Sequence, residues 1–150
     1  MLNSDFFDEA IIPVSQEYKT MGKFFGQKKQ QILVVLPAKY YEIDIYKKLL
    51  TKILASVKVD IEKDILVFAL SSKTPFSLIH LAEKENCDKI IVFGVNLPQL
   101  GIHRLISKYQ LTKMNHLSLI LSDSFKDLEA DVSKKLKFAL WNALKELVLP

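Results

Sequence analysis

The stretch Lys89–Gly101 (KIIVFGVNLPQLG) sets the expected fold of this chain. Its apolar run, Ile90–Phe93, leads directly into Gly94, and the polar Asn96 and then Pro98 follow. A short apolar run that ends in turn residues is typical of a strand buried on both faces of a parallel sheet. Gly94 is expected to let the backbone turn where this strand ends. The carboxyl ends of such strands are where α/β proteins usually place a functional site.

Three further apolar runs predict strands of the same kind, namely Ile32–Leu36, Ile65–Leu70 and Leu117–Leu121. Patterns of helical spacing separate and follow the four runs: Glu42–Val57, a helix that opens at Thr74 and Pro75, Ile102–Tyr109 after Gly101, Phe125–Ala130 and Lys134–Val148. Strands that alternate with crossover helices indicate a parallel sheet covered on both faces. We therefore predict an α/β fold with three α/β/α layers around a mainly parallel four-stranded sheet.

Residues 1–30 lack this alternation and are predicted to form an N-terminal arm or short helical interaction peptide, whereas residues 31–150 form the α/β domain. The segment Asp5–Ile12 (DFFDEAII) reads as two helical turns that Pro13 ends. Either it covers the core of its own domain, or its apolar side chains fill a partner's groove. Those side chains are Phe6, Phe7, Ile11 and Ile12. The glycines and polar residues of 22–31 are expected to be a hinge.

The composition is that of a compact protein. With 150 residues, 49% of them hydrophobic and 25% charged, one domain with one core is expected. No apolar run reaches the roughly 20 residues of a membrane helix, and the acidic N-terminus does not resemble a secretory signal, so a cytoplasmic location is predicted. The single cysteine, Cys87, predicts neither a disulfide nor a metal site. A net charge of +4 is compatible with nucleic acid as a partner, but the lysines are dispersed along the chain.

The loops after the four predicted strands are expected to share one edge of the sheet. That edge would contain one carboxylate and no imidazole, because the three histidines His80, His103 and His116 fall elsewhere. No glycine-rich phosphate loop is present either. No catalytic, cofactor or metal residue is therefore predicted. The candidate site residues at this edge are Pro37, Tyr40, Tyr41, Gly94, Asn96, Ser122 and Asp123, of which the two tyrosines either stack on bases or cover the strand ends.

The last predicted helix presents two aromatic residues away from its apolar stripe. Phe138 and Trp141 lie three residues apart and have Lys134, Lys137 and Lys145 around them. Exposed aromatic residues beside lysines are typical of a protein interface, which makes Phe138 and Trp141 candidate partner-binding residues. The alternative is that the N-terminal arm or another helix covers them.

The strand that ends in Phe93-Gly94, with its loop Val95–Gly101, resembles the third-strand region of the uracil-DNA glycosylase superfamily. The chain is more similar still to a non-catalytic branch of that fold, the psi subunits of bacterial DNA polymerase III. This similarity is carried by the strand Ile32–Leu36 with its Pro37-Ala38 ending and by the helix tripeptide Ala139-Leu140-Trp141. It covers about residues 31–147.

The same resemblance implies that the glycosylase chemistry is lost. Glycosylases place an acidic motif after the first strand, where this chain has Pro37–Tyr40, and a histidine after the fourth strand, where it has Leu121–Ser124. Removing one preorganised donor often costs about 10²–10³ in rate.

The resemblance also implies a function. Psi-like proteins bind the clamp loader through an N-terminal peptide, so the chain is expected to be a non-catalytic adaptor that links clamp-loader subunits or other replication proteins. Two alternatives stay open. One is a divergent DNA glycosylase that uses Asp123 or Glu42 together with Tyr40 and Tyr41 at the sheet edge, and the other is a generic α/β interaction domain.

Overall fold

The computed structural model describes Tyr18 and residues 20–148. Within this part of the chain the fold is α/β, with one six-stranded mixed sheet and five helices. The strands are β1 (Gly22–Phe25), β2 (Ile32–Pro37), β3 (Ile65–Leu70), β4 (Lys89–Phe93), β5 (Thr112–Met114) and β6 (Leu117–Ser122). The helices are α1 (Ala38–Glu42), α2 (Asp44–Ala55), α3 (Leu78–Lys84), α4 (Phe125–Ala130) and α5 (Lys135–Val148).

The four strands predicted from apolar runs form the middle of the sheet. The order is β1-β3-β2-β4-β6-β5, and β3, β2, β4 and β6 run parallel to one another. Each of these strands is buried over nearly its whole length, as a parallel sheet covered on both faces requires. The α/β class and the parallel middle are thus confirmed.

The prediction of a four-stranded sheet is wrong because an antiparallel strand is added at each edge. β1 pairs with β3 in the register Gly22 to Leu70, so the hinge predicted for residues 22–31 is in part a strand. Phe24 stacks on Phe68 with 4.4 Å between ring centroids. β5 pairs with β6 and forms the other edge. The sheet is therefore mixed.

The helix predicted over Ile102–Tyr109 is also absent from the structure, where these residues form irregular backbone. Ile102 and Ile106 are both buried and lie four residues apart, which imitates a helical stripe. Two other helices start differently from the prediction. The helix after β3 begins at Leu78 with Ser77 as its cap, and Ile43 divides the predicted helix Glu42–Val57 into α1 and α2.

Two clusters of buried side chains lie on opposite faces of the sheet. One face carries α3 and the irregular segment that follows β4. Tyr18 lies on the same face, and its ring packs edge-on against Phe68 and Phe76. The other face carries α1, α2, α4 and α5, with Phe125 stacked on Phe93. Helices on both faces are the arrangement expected for a parallel sheet.

The predicted peptide motif Phe6, Phe7, Ile11 and Ile12 lies outside the described residues. Across Tyr18 and residues 20–148, no helix combines the length and apolar character that crossing a membrane requires.

Candidate functional site

The loops after β2, β3, β4 and β6 meet at the carboxyl edge of the sheet and border an open cavity of about 520 Å³. This convergence follows from the parallel arrangement of the four strands. The cavity is lined by Pro37, Ala38, Lys39, Tyr40, Leu70, Ser71, Ser72, Lys73, Gly94, Val95, Asn96, Gln99 and Ser124. Among the candidate residues, Pro37, Tyr40, Gly94 and Asn96 thus line the cavity, whereas Tyr41, Ser122 and Asp123 do not.

Gly94 allows the loops after β4 and β6 to approach each other closely. Its φ is +66°, and a Cβ atom added there would lie 2.8 Å from Cβ of Ser124. Both the backbone conformation and the contact exclude a larger residue without a shift in the neighbouring loop. Gly94 is therefore required by the shape of the cavity wall.

Asn96 and Gln99 hold the loop after β4 in place. The Asn96 side-chain oxygen accepts a hydrogen bond from the backbone N–H of Gln99 at 3.0 Å. The Gln99 side-chain amide donates to the backbone carbonyl of Ser72 at 3.0 Å, which joins this loop to the one after β3. The polar groups of this wall thus serve largely to connect the loops.

The two tyrosines of the edge have covered rings. Tyr40 is buried and packs edge-on against Tyr46 at 5.1 Å. Tyr41 stacks on Phe25 at 4.8 Å, while Lys47 Nζ lies 4.7 Å from the Tyr41 ring centre. Burial, and secondly the charge of Glu62, raise the pKa of Tyr41. These positions fit the interpretation in which the tyrosines cover strand ends rather than offer free faces for stacking bases.

Asp123 is held by two residues that the sequence analysis did not single out. Its carboxylate accepts hydrogen bonds from Lys108 Nζ and from Tyr109 Oη, each at 2.5 Å, and its own backbone N–H donates to Tyr109 Oη at 3.1 Å. Burial opposes ionisation of Asp123, but the hydrogen bonds from Lys108 and Tyr109 outweigh it and lower the pKa of this carboxyl. Burial and the bond to Asp123 raise the pKa of Tyr109 to about 12.

No spacing rule in the sequence connects Asp123 with Lys108 and Tyr109, which precede it by 15 and 14 residues. The contact depends on the irregular path of residues 101–110, where the sequence predicted a helix. At neutral pH Asp123 is an ionised acceptor, and both of its carboxylate oxygens are engaged.

The charged groups of the cavity wall are lysines. Lys39 and Lys73 line it, and its lining contains neither a carboxylate nor an imidazole. His80 lies on α3, and His116 lies before β6 at the opposite edge, where its Nε2 is 3.9 Å from Glu83. Within the part of the chain that the structure describes, no group of three His, Cys, Asp or Glu side chains is placed to hold a metal ion. The wall offers hydrogen bonds and positive charge to a ligand.

A second concave surface, here called the α2–α5 groove, lies on the face of the sheet that carries α1, α2, α4 and α5. We call this face the helical face. The groove measures about 490 Å³ and is lined by Ile45, Lys48, Leu49, Lys52, Ile53, Ser56, Glu129, Lys134, Lys137 and Trp141. Trp141 is half-buried, and Lys145 Nζ lies 3.7 Å from its ring centre. Phe138 is 61% exposed, and its ring centre is 6.0 Å from that of Trp141. Of the two predicted aromatic residues, one thus lines the groove and the other projects beside it.

No family model matches this chain, and no curated protein matches it.

Proposed function

We propose that this chain is a non-catalytic, cytoplasmic adaptor similar to the psi subunits of the bacterial clamp loader, and that it links protein partners at the replication fork. The proposal includes a uracil-DNA glycosylase-like fold for the α/β domain. The clamp-loader role and the glycosylase-like fold rest on the sequence resemblance of residues 31–147. Two features of the structure support the other parts: the chemistry of the carboxyl edge supports a non-catalytic role, and the apolar side chains exposed on the face of α2 and α5 support an adaptor role.

The state of Asp123 is the observation that carries the non-catalytic part of the proposal. A general base must lie within hydrogen-bond reach of the proton that it removes from the substrate. Asp123 gives one carboxylate oxygen to Lys108 and the other to Tyr109, and it does not line the cavity. The residues that do line the cavity include no carboxylate, imidazole or thiol. The edge is thus suited to holding a molecule rather than to proton transfer.

The adaptor part is supported by exposed apolar side chains beside lysines. Ile43 and Ile45 are 45% and 54% exposed, and Phe138 is 61% exposed. Ile45 and Trp141 belong to the same groove, whose rim carries Lys48, Lys52, Lys134 and Lys137. Apolar groups surrounded by charged ones are the usual composition of a protein interface.

Capture by purified clamp-loader subunits tests the proposal. The bait is the full chain, and the variant is Phe6→Ala/Phe7→Ala, which removes the aromatic part of the predicted motif. Substitution is preferable to deleting residues 1–20, because the buried Tyr18 packs on Phe68 and such a deletion would damage the core. We expect capture by the wild type and its loss in the variant. Equal capture of both, or none by the wild type, would overturn the adaptor role and leave a generic interaction domain.

The position of the carboxyl-edge cavity, at the ends of the parallel strands, favours one second candidate, a divergent DNA glycosylase. About 520 Å³ is within the usual range of small-molecule sites. The assay is cleavage of uracil-containing single strands by the wild type, by Asp123→Asn and by Glu42→Gln. We expect no cleavage by any of the three. Cleavage by the wild type that is lost in one of the carboxylate variants would establish the enzyme instead.

A further inference from the structure

The α2–α5 groove combines an apolar floor with a basic rim. Leu49 and Ile53 are half-buried on its α2 side, and Trp141 is half-buried on its α5 side. Four lysines line it against one acidic residue, Glu129, and that carboxylate is 4.0 Å from Lys137 Nζ. The groove therefore favours an occupant with apolar side chains and negative charge.

The N-terminal segment of the same chain has this chemistry. Residues 1–17 contain four acidic residues and no lysine or arginine, so they carry −4 in a chain whose net charge is +4, which leaves +8 on residues 18–150. Three of the four acids, Asp5, Asp8 and Glu9, are interleaved with two phenylalanines and two isoleucines in Asp5–Ile12. The acidic and aromatic groups of the chain's first residues thus complement the lysines and the apolar floor of the groove.

The chain enters the folded part at the edge of the sheet where one end of the groove lies. The Met21 carbonyl accepts a hydrogen bond from the N–H of Ser71, directly after β3, so the chain enters at the carboxyl edge. Ile45 lies in the first turn of α2, which follows the carboxyl end of β2 through α1, so one end of the groove is at the same edge. Tyr18 packs on the opposite face of the sheet from the groove, so the six residues from Ile12 to Tyr18, which span up to about 20 Å when extended, have to pass round that edge.

We propose that the acidic segment Asp5–Ile12 occupies the α2–α5 groove of its own molecule and covers Trp141. Tethering raises the effective concentration of the segment to about the millimolar range, so a weak contact is sufficient. A partner that binds the segment must then displace it from the groove. This inference goes beyond the adaptor role and does not require it.

Trp141 is the single tryptophan of the chain and reports on the groove directly. The measurement is its emission maximum and its quenching by acrylamide in the full chain. The segment variant Asp5→Asn/Asp8→Asn/Glu9→Gln has Glu17→Gln as its matched control. The groove variant Lys48→Gln/Lys52→Gln has Lys63→Gln as its control, because Lys63 is exposed in the turn before β3.

We expect a red-shifted emission and a larger quenching constant in both the segment and the groove variants, and wild-type values in both controls. The wild type should move to the variant values in about 1 M NaCl, where the Debye length falls to about 3 Å. Far-ultraviolet circular dichroism confirms that each variant is folded.

Equal quenching of the wild type and the segment variant would overturn the proposal. If quenching increases in the groove variant but not in the segment variant, the groove has a different occupant and the proposal is also overturned. Protection of Trp141 that disappears on dilution would assign the occupant to a second copy and overturn the intramolecular contact. These outcomes are independent of clamp-loader capture, because Lys48→Gln/Lys52→Gln leaves the motif of the segment intact. If both proposals hold, this groove variant is captured at least as well as the wild type.

Discussion

Replacement of Asp123 by asparagine tests whether this carboxylate serves to hold loops together. The side chain is 18% exposed and accepts hydrogen bonds from Lys108 and Tyr109. A hydrogen bond to a charged group contributes about 1.5–3 kcal/mol, whereas an ion pair with a partner as exposed as Lys108 contributes about 0–1 kcal/mol. Asparagine keeps an acceptor for Tyr109 but loses the charge. We therefore expect Asp123→Asn to lower the free energy of unfolding at pH 7 by about 1–2 kcal/mol.

The pH dependence of this loss has a definite sign. Burial opposes the charge of Asp123, but the hydrogen bonds from Lys108 and Tyr109 prevail, so its pKa is lower in the folded state than in the unfolded state. A carboxyl with a lowered pKa contributes stability that is fully present above its unfolded pKa of about 3.9 and is lost as pH falls through the folded value. The difference between the wild type and Asp123→Asn should thus be largest near neutral pH and shrink in acid.

Urea unfolding followed by the fluorescence of Trp141 measures both quantities. The matched control is Asp88→Asn, because the Asp88 carboxylate is 3.2 Å from Lys89 but 48% exposed. We expect this control to stay within about 0.5 kcal/mol of the wild type. The loop-holding role would be refuted by an equally small effect of Asp123→Asn at pH 7, or by a loss that does not shrink in acid.

Three further predictions concern stability and reactivity. Gly94→Ala should lower the free energy of unfolding by more than about 1 kcal/mol, because φ is +66° and the new Cβ would lie 2.8 Å from Cβ of Ser124. An unchanged midpoint of urea unfolding would contradict this. Burial raises the pKa of Cys87 to about 11, so the folded protein should resist a thiol reagent at about pH 8 and react once unfolded, whereas fast labelling of the native state would be inconsistent. Phe125→Ala should cost about 3–5 kcal/mol in urea unfolding, because the ring is buried and stacked on Phe93 at 4.4 Å, and a cost below about 1 kcal/mol would argue against that packing.

The middle of the sheet was predictable because its strands consist of apolar residues, which indicate burial. Ile32–Leu36 and Ile90–Phe93 are apolar throughout, and this requires cover on both faces whatever the rest of the chain does. Their parallel arrangement then dictated that the following loops share one edge. The cavity at that edge thus follows from the sequence pattern, as does the presence of Pro37, Tyr40, Gly94 and Asn96 in its lining. That Tyr41, Ser122 and Asp123 fall outside the lining was not predictable, because it depends on how the loops fold.

The edge strands and the irregular segment were not predictable in this way. β1 has four residues and β5 has three, too few to show an alternating pattern. A partial signal exists in Phe24, whose ring packs on Phe68. Ile102 and Ile106 share the spacing of a helix because both reach the same core cluster, yet the backbone between them is irregular. Burial spacing alone cannot distinguish these two cases.

Both edge strands carry a lysine, which bears on whether a further strand can pair with them. Exposed sheet edges pair readily with other chains, and short strands carrying lysine oppose this. β1 has Lys23 exposed, and β5 has Lys113, whose Nζ donates to the Ser118 hydroxyl at 2.9 Å. Pairing of a partner strand at either edge is thus disfavoured, whereas Ile45 and Phe138 stay exposed on the helical face. If the adaptor proposal holds, a partner is therefore expected on the face that carries α2 and α5, where it would compete with the N-terminal segment for the α2–α5 groove.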